Sequence, residues 1–316
     1  MIRISIVIPV YQGAASIEDL GRRLIDLYRH RCVLELVLVN DCSPDASDAA
    51  CRRLQAAFPE HVSYLRLSRN FGEHNAVMAG LHQARGEWCI TIDCDFQNPP
   101  EEVAKFLDAL RDDVDVIYAE YPVKSDAWYR NLGSRLNDWL AVRALQKPPG
   151  LYLSSFRAMN RFLVEEIKRY TGAEPYLDAI ILRTTRAIGR VSVGHQPRRD
   201  GQSGYTLRKL IALSSTMFIA FSLYPIRLIG LVGVLVLVAG SYLLLQDTYQ
   251  TVFPSHDGPP SDVEGLSALI VFFRGVQLFV TGILGEYVGR IYLKSGNAPQ
   301  FIVREHRPAQ LGGGAA

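Results

Sequence analysis

The sequence predicts an α/β domain built on a mainly parallel sheet, followed by an interfacial helix and two transmembrane helices. Three observations carry that expectation. Short apolar runs alternate with helical patterns through the first 205 residues, acidic turns follow the ends of those runs, and an uncharged stretch of 19 residues lies downstream at Leu228–Gln246. The composition agrees. Hydrophobic residues at 48% exceed what a disordered chain carries, and charged residues at 21% are too many for a protein wholly in lipid.

Ile4–Val10, Leu34–Asn40, Val62–Leu67, Trp88–Asp93 and Val114–Ala119 read as strands, rich in Val, Ile and Leu as strands buried on both faces are. The first of these is too short for a signal peptide and carries no small-residue cleavage site. Helical patterns fall between the strands. Ser16–His30 has Ser16 as a candidate N-cap with Asp19 three residues on; Ala46–Phe58, Glu73–Ala84 and Pro100–Arg111 follow, the last with Pro in its first turn. This alternation predicts helices on both faces of a sheet, with ligands beyond the C-terminal ends of the strands.

Several function classes are excluded early. No G-x-G-x-x-G follows the first strand and no G-x-x-x-x-G-K-[ST] occurs, which argues against dinucleotide and P-loop sites. A net charge of +2, with no basic stripe interleaved with aromatics, argues against nucleic acid as a partner. The five cysteines, Cys32, Cys42, Cys51, Cys89 and Cys94, form no C-x-x-C pair and are odd in number, so neither a disulfide framework nor a zinc site is indicated. A reducing setting is the default for them.

Thr206–Ser222 is apolar with two cations near its start, which suits a helix lying in the membrane interface; core packing is the alternative. Leu228–Gln246 approaches the roughly 20 residues needed to cross about 30 Å of hydrocarbon. A second span, Leu266–Val288, is interrupted by Arg274 and Glu286. A pair of buried core helices is the competing reading, weakened because the first run is apolar on every face. The connection Asp247–Glu264 holds four acids and no Lys or Arg, whereas Arg208, Lys209 and Arg227 precede the pair and Arg290 and Lys294 follow it. The positive-inside rule then puts both termini in the cytoplasm. Arg274 at mid-bilayer would cost about 2.5–3.5 kcal/mol; in the outer half it can snorkel, or meet a headgroup or another subunit. The expected organisation is a cytoplasmic domain at 1–205, an interfacial segment at 206–226, a transmembrane hairpin at 227–293 and a cytoplasmic tail at 294–316, in a multi-pass protein of the inner membrane.

The chemistry is concentrated after two strands. Asn40-Asp41-Cys42-Ser43-Pro44-Asp45 follows the second, and Asp93-Cys94-Asp95-Phe96-Gln97-Asn98 follows the fourth. Two carboxylates two residues apart at a strand end can hold a hard divalent cation, Mg²⁺ or Mn²⁺, whose other ligands come from phosphate and water. A lone D-x-D is as readily a solvated turn; an apolar strand before it and a second acidic turn nearby favour the metal.

In order and spacing, PVYQGAASIEDL, VNDCSPDAS, LSRNFGEHNAVMAGLHQARGEW and TIDCDFQNPPEE resemble the motifs of family 2 glycosyltransferases of the GT-A fold. More narrowly, the chain is similar to the polyprenyl-phosphate branch, which includes dolichol-phosphate mannose synthase, bactoprenol glucosyltransferases and undecaprenyl-phosphate aminoarabinose transferase. DAWYRNLGSRLN, SSFRAMNR, PRRDGQSGY and GILGEYVGRIY extend the resemblance over residues 3–304. It implies a Rossmann-like nucleotide-sugar-binding domain that transfers a single sugar, with inversion, to polyprenyl (undecaprenyl) phosphate. It implies that Pro9, Tyr11 and Asp41 hold base and ribose, and that Asp93 and Asp95 bind the metal on the donor diphosphate. Gln97 then lies near sugar and metal, Arg198 closes over the donor phosphates, and Arg130, Ser154 and Arg157 surround the acceptor phosphate. The donor is UDP-linked more often than GDP-linked among bacterial relatives. Relatives also form homo-oligomers, for which Gly282, Gly285 and Gly289 would allow close helix approach.

Some positions depart from the family pattern. Gln12-Gly13 stands for a common Asn-Glu, Asn40 for an Asp, Ser155 for the Asp of a G-D-F-R run, and Gly204 for the Lys of S-K-Y. These departures are the support for an inactive membrane scaffold relative. A processive polysaccharide synthase is the other rival, and no Q-x-x-R-W element surrounds Trp88, Trp128 or Trp139. His74 reads as a packed or capping residue, and Glu286 as an i, i+4 partner of Arg290.

Overall fold

The computed structural model describes residues 1–121, 147–148, 150–172, 175–194, 196 and 299–310, with scattered helical positions between Leu235 and Ile291. The chain divides into two compact units, one of Met1–Leu136, Leu145–Gly204 and Asn297–Ala316, the other of Asn137–Ala144 and Tyr205–Gly296.

The first unit is an α/β sheet of eight strands. In chain order its elements are β1 (Arg3–Val10), α1 (Ile17–Tyr28), β2 (Val33–Asn40), α2 (Ser47–Ala57), β3 (Val62–Leu67), α3 (Glu73–Gln83) and β4 (Trp88–Thr91). A 3-10 turn at Pro100–Glu102 then leads into α4 (Val103–Ala109), β5 (Val116–Glu120), β6 (Arg157–Asn160), α5 (Arg161–Lys168), α6 (Leu177–Thr184), β7 (Ile188–Ser192) and β8 (Val303–Arg307). The spatial order is β7-β5-β6-β4-β1-β2-β3-β8.

The centre is parallel as expected, β4-β1-β2-β3. The flanks are not: β6 runs antiparallel to both β4 and β5, and β8 runs antiparallel to β3. The sheet is therefore mixed. Residues 294–316, read from sequence as a tail, supply one of its strands, and the charged run VREHR suits an edge that must not recruit another chain.

Side chains alternate across the sheet. Ile4, Ile6, Ile8 and Val10 join Leu20, Leu24 and Ile25 of α1 in one buried layer, each worth about 1.5–3 kcal/mol relative to exposure. On the other face α3 lies so close that a Cβ at Gly80 would sit 2.3 Å from Val7 Cγ1 and 3.1 Å from Val39 Cγ2. At the amino edge of the strands Glu35 is fully buried, accepting from Ser5 Oγ at 2.5 Å and the Arg85 N–H at 2.9 Å. Gly86 N–H donates to Ser5 Oγ at 2.8 Å, and Glu35 Oε1 is buried without a hydrogen-bond partner among the described residues.

Three boundaries differ from expectation. Ser16 precedes α1 but makes no side-chain cap; its hydroxyl donates to Gly13 O instead. The expected helix at Pro100–Arg111 is a 3-10 turn followed by α4, and it stops at Ala109 because the chain turns extended at Leu110. The fourth strand ends at Thr91, freeing Asp93 to turn away from the ladder.

Among the described residues, no helix is long and apolar enough to cross a membrane. The interfacial segment and most of both expected spans lie outside the described residues. Of the second unit, Leu235, Val238, Tyr242, Ile270, Leu284, Val288 and Ile291 are helical and exposed.

Candidate active site

Strand register decides what meets at the carboxyl edge. Val10 pairs with Asn40, so Tyr11 and Asp41 leave β1 and β2 side by side. Val7 pairs with Thr91, which brings Asp93 out beside them. Because β6 is antiparallel and Arg157 pairs with Thr91, Ser154 and Ser155 arrive at that same edge from the opposite direction. Backbone strain collects here too. Gln12 (φ 53°), Cys42 (φ 51°) and Phe96 (φ 60°) are the left-handed non-glycine residues among those described, and each follows the end of β1, β2 or β4. Such conformations cost on the order of 1–3 kcal/mol and persist where surrounding contacts over-determine them.

The β1 and β2 loops are locked together by Asp45. Its Oδ1 accepts from Ser43 Oγ and Ser47 Oγ, both at 2.5 Å, and its Oδ2 from the Ala14 N–H at 3.1 Å. Burial alone would raise this carboxyl, but these donors outweigh it and hold it at about 2. Ser43 and Ser47 in turn accept from the N–H groups of Gln12 and Gly13. Gly13 is required for space, since a Cβ would lie 2.8 Å from Cys94 Sγ.

Pro9 is buried and Tyr11 is 47% exposed, so only the tyrosine presents a face to a ligand. Asp41 is 3% exposed; its oxygens accept from Phe71 N–H at 2.7 Å and Gly72 N–H at 2.8 Å. Burial pushes its carboxyl up, and the two N–H donors oppose that shift. Asp41 thus ties the loop before α3 to the end of β2. Asn40, in place of the more common Asp, bonds Tyr64 OH and the Ser43 N–H.

Asp93 and Asp95 are half-buried. Ser155 Oγ donates to Asp93 Oδ2 at 2.6 Å, and the Gln97 N–H donates to Asp95 Oδ1 at 3.0 Å. The serine that read as a missing acid is therefore a donor to the first carboxylate of D-x-D. Thr91 Oγ1 fixes that serine by donating to its carbonyl. Glu73, at the first turn of α3, is open to solvent, yet protein surrounds its carboxyl; desolvation first, then Asp93, push it up to about 7.

Ser154 and Arg157 are both 2% exposed. Ser154 Oγ lies 3.0 Å from Tyr121 OH and accepts from the Phe156 N–H, while Tyr121 OH donates to Asn98 Oδ1 at 2.7 Å. Arg157 is paired with Asp178, which also accepts from Tyr118 OH. Both side chains are buried and engaged with these protein groups. His74 packs edge-on against Tyr176 at 5.3 Å, and burial lowers its pKa. After β7 the chain is stitched to the D-x-D loop, with Gly194 N–H on Glu102 Oε2 and Gln196 N–H on Gln97 O, both 2.9 Å. Arg130 and Arg198 lie outside the described residues.

Sequence reasoning missed Asp45, Glu73, Asp178, Tyr121 and the role of Ser155. Asp45 shares a turn with Asp41 and Glu73 opens a helix after a strand, so both carried a local signal; Asp178 and Tyr121 carried none.

The donor set suits a hard divalent cation. Two half-buried carboxylates are each braced by a hydrogen bond, as ligating groups are. Among the described residues no cluster of three or more His, Cys, Asp or Glu forms a metal cage. Mg²⁺ needs only one or two protein carboxylates when phosphate and water complete its shell.

Residues 5–168 match the sequence model of Glycosyl transferase family 2. This chain belongs to that family. Its relatives include the undecaprenyl-phosphate 4-deoxy-4-formamido-L-arabinose transferases of Sodalis glossinidius (strain morsitans), 31% identical over 304 residues, and of Yersinia enterocolitica, 33% identical over 311. Each alignment covers 96% of this chain and 93% of the relative. Among solved structures, this family 2 glycosyltransferase is similar to glucosyl-3-phosphoglycerate synthase from Mycobacterium tuberculosis in complex with Mn²⁺, UDP and glucosyl-3-phosphoglycerate. That match has a TM-score of 0.52 at 20% identity and covers 69% of this chain and 78% of the other. The likeness is one of fold, a GT-A-like mixed α/β sheet.

Proposed function

We propose that this glycosyltransferase moves a single sugar from a UDP-linked donor to undecaprenyl phosphate, with inversion, at the cytoplasmic face of the inner membrane. The observation that carries the reading is the D-x-D pair, braced by Ser155 and Gln97 where β4, β6 and the strap after β7 converge. The 96% coverage by relatives named for undecaprenyl-phosphate transfer supports the acceptor.

No general base is required. A phosphate monoester has a second pKa near 6 and is largely dianionic at neutral pH, so the acceptor is already a nucleophile. The chain's task is to orient two anions and offset their charge. Asp93 and Asp95 would hold Mg²⁺ or Mn²⁺, and a cation bound there neutralises the departing nucleoside diphosphate. Ser155 and the Gln97 N–H keep the two carboxylates oriented for that ligand. Tyr11 offers its face to the base, while Pro9 and Asp41 shape the pocket beneath it. Arg198 follows Gln196 by two residues, a reach of about 7 Å, which supports its closing over phosphates beside Gln97. The family resemblance assigns Arg130, Ser154 and Arg157 to the acceptor phosphate, of which Ser154 and Arg157 are buried.

The membrane part has support from topology. One sheet holds β1–β7 before the expected spans and β8 after them, so any crossing between must be made an even number of times. Two spans meet that condition, and the exposed apolar positions Leu235, Val238 and Tyr242 recur at helical spacing. Gly282, Gly285 and Gly289 each have nothing among the described residues within 4 Å of an added Cβ, which supports helix approach in a homo-oligomer.

The test is incubation of purified protein with undecaprenyl phosphate, Mn²⁺ and a panel of nucleotide sugars, read by mass spectrometry of the lipid. One added sugar is expected. A polymer would indicate a processive synthase, and no product from any donor would indicate a scaffold.

A further inference from the structure

Among the described residues of the sheet unit, three aromatics are largely exposed: Tyr11 (47%), Tyr152 (57%) and Phe162 (56%). Phe162 follows β6, whose far end pairs Asn160 with Trp88, so it lies at the amino edge away from the D-x-D pair. The other two lie on segments that reach the carboxyl edge where that pair sits. Tyr11 leaves β1; Tyr152 precedes β6 by five residues and Ser155 by three.

Tyr152 is mounted rather than loose. Its ring meets Tyr121 edge-on, with centroids 5.4 Å apart and planes at 84°. The Tyr121 hydroxyl donates to Asn98 Oδ1 at 2.7 Å and lies 3.0 Å from Ser154 Oγ. Asn98 is the residue after Gln97, and Ser154 precedes the serine that donates to Asp93. The aromatic pair is therefore pinned to both segments that carry the D-x-D pair and its brace. The turn beneath is held as well: Lys147 Nζ donates to Leu151 O at 2.7 Å, Leu151 N–H to Pro148 O at 3.3 Å, and Arg190 Nη1 to Gly150 O at 3.3 Å. Gly150 takes φ 68°, which a side chain would resist.

We propose that Tyr152 is a specificity-determining platform that stacks against the apolar face of the donor sugar. The inference rests on the reading of this edge as a nucleotide-sugar site. A sugar is bonded directly to the diphosphate that Asp93 and Asp95 would grip through a cation, so it sits within one residue's reach of that pair. Its hydroxyls can find polar partners there, but its C–H face needs an apolar one, and ligand sites commonly supply an aromatic. Tyr121, whose hydroxyl is spent on Asn98 and Ser154, orients the ring but is not itself presented. A wall at this point reads the shape of the sugar and leaves the nucleotide untouched.

The experiment compares Y152A, Y152F and the unchanged full-length protein in Mn²⁺. Titrations use UDP alone and the nucleotide sugar that the panel above turns over, with the KM for undecaprenyl phosphate measured alongside. Y152A is expected to weaken the nucleotide sugar by roughly three- to ten-fold while UDP affinity and the lipid KM hold, and Y152F is expected to restore wild-type binding. Equal weakening of UDP and nucleotide sugar, no change in either, or a change confined to the lipid KM would each overturn the platform. Absence of UDP binding by the unchanged protein would instead overturn the donor-site reading on which it stands.

Discussion

The two edges of the central sheet are built from the same four parallel strands and solve opposite problems. At the amino edge Ser5, Arg85 and Gly86 form a hydrogen-bonded knot on Oε2 of the fully buried Glu35, with no left-handed non-glycine residue among those described near it. At the carboxyl edge Gln12, Cys42 and Phe96 carry positive φ, the D-x-D carboxylates are half-buried, and the Glu73 carboxyl is raised by desolvation and by the nearby Asp93. One edge spends its polar groups on itself. The other holds like charges together for a ligand to neutralise. Stability and function are thus separated along the length of the strands, as α/β sheets with ligands beyond the strand ends allow.

That separation can be broken from either side. The largest effect is expected for Asp95→Asn, which should cut sugar transfer by about a thousandfold without lowering the melting temperature; turnover near the wild-type level in Mg²⁺ buffer would remove the metal assignment. Ser155→Ala should be milder, weakening Mn²⁺ by about 10–100-fold in the presence of UDP, again with unchanged stability. At the other edge Ser5→Ala should cost about 1–3 kcal/mol of stability by leaving Glu35 short of a donor, seen as a lower denaturant midpoint. Transfer per folded molecule should not change. Loss of activity without loss of stability in Ser5→Ala would erase the distinction between the edges.

The smallest effect sharpens the comparison through pH. Glu73 is raised from an ordinary 4.5 to about 7 in the folded protein. Across that window the folded protein keeps a proton that the unfolded chain has released, so stability falls as pH rises. Glu73→Gln removes the dependence. In metal-free buffer it should melt above the unchanged protein at pH 8 and level with it at pH 4.

Legibility in the sequence followed the same physics. β1 to β5 were readable because buried strands are almost wholly apolar. β6 (RAMN) and β8 (VREHR) were not, being short and charged, and β8 is separated from β3 by the whole second unit. Asp93 and Asp95 could be picked out because they close an apolar run, whereas Tyr11 is named only through the family resemblance. Ser155 registered only as an absent acid, since its bond to Asp93 depends on an antiparallel pairing no local pattern announces. Resemblance assigns Arg157 to the acceptor phosphate, with a structural ion pair as the alternative; its partner, Asp178, lies 21 residues away on α6 and no local pattern names it.

The most direct measurement is Mn²⁺ binding followed by electron paramagnetic resonance, with and without UDP, in the unchanged protein, Asp93→Asn and Asp95→Asn. If the D-x-D pair and a diphosphate share one cation, UDP should tighten Mn²⁺ in the unchanged protein, and each substitution should abolish that enhancement. Equal, UDP-independent Mn²⁺ affinity in all three proteins would contradict the account.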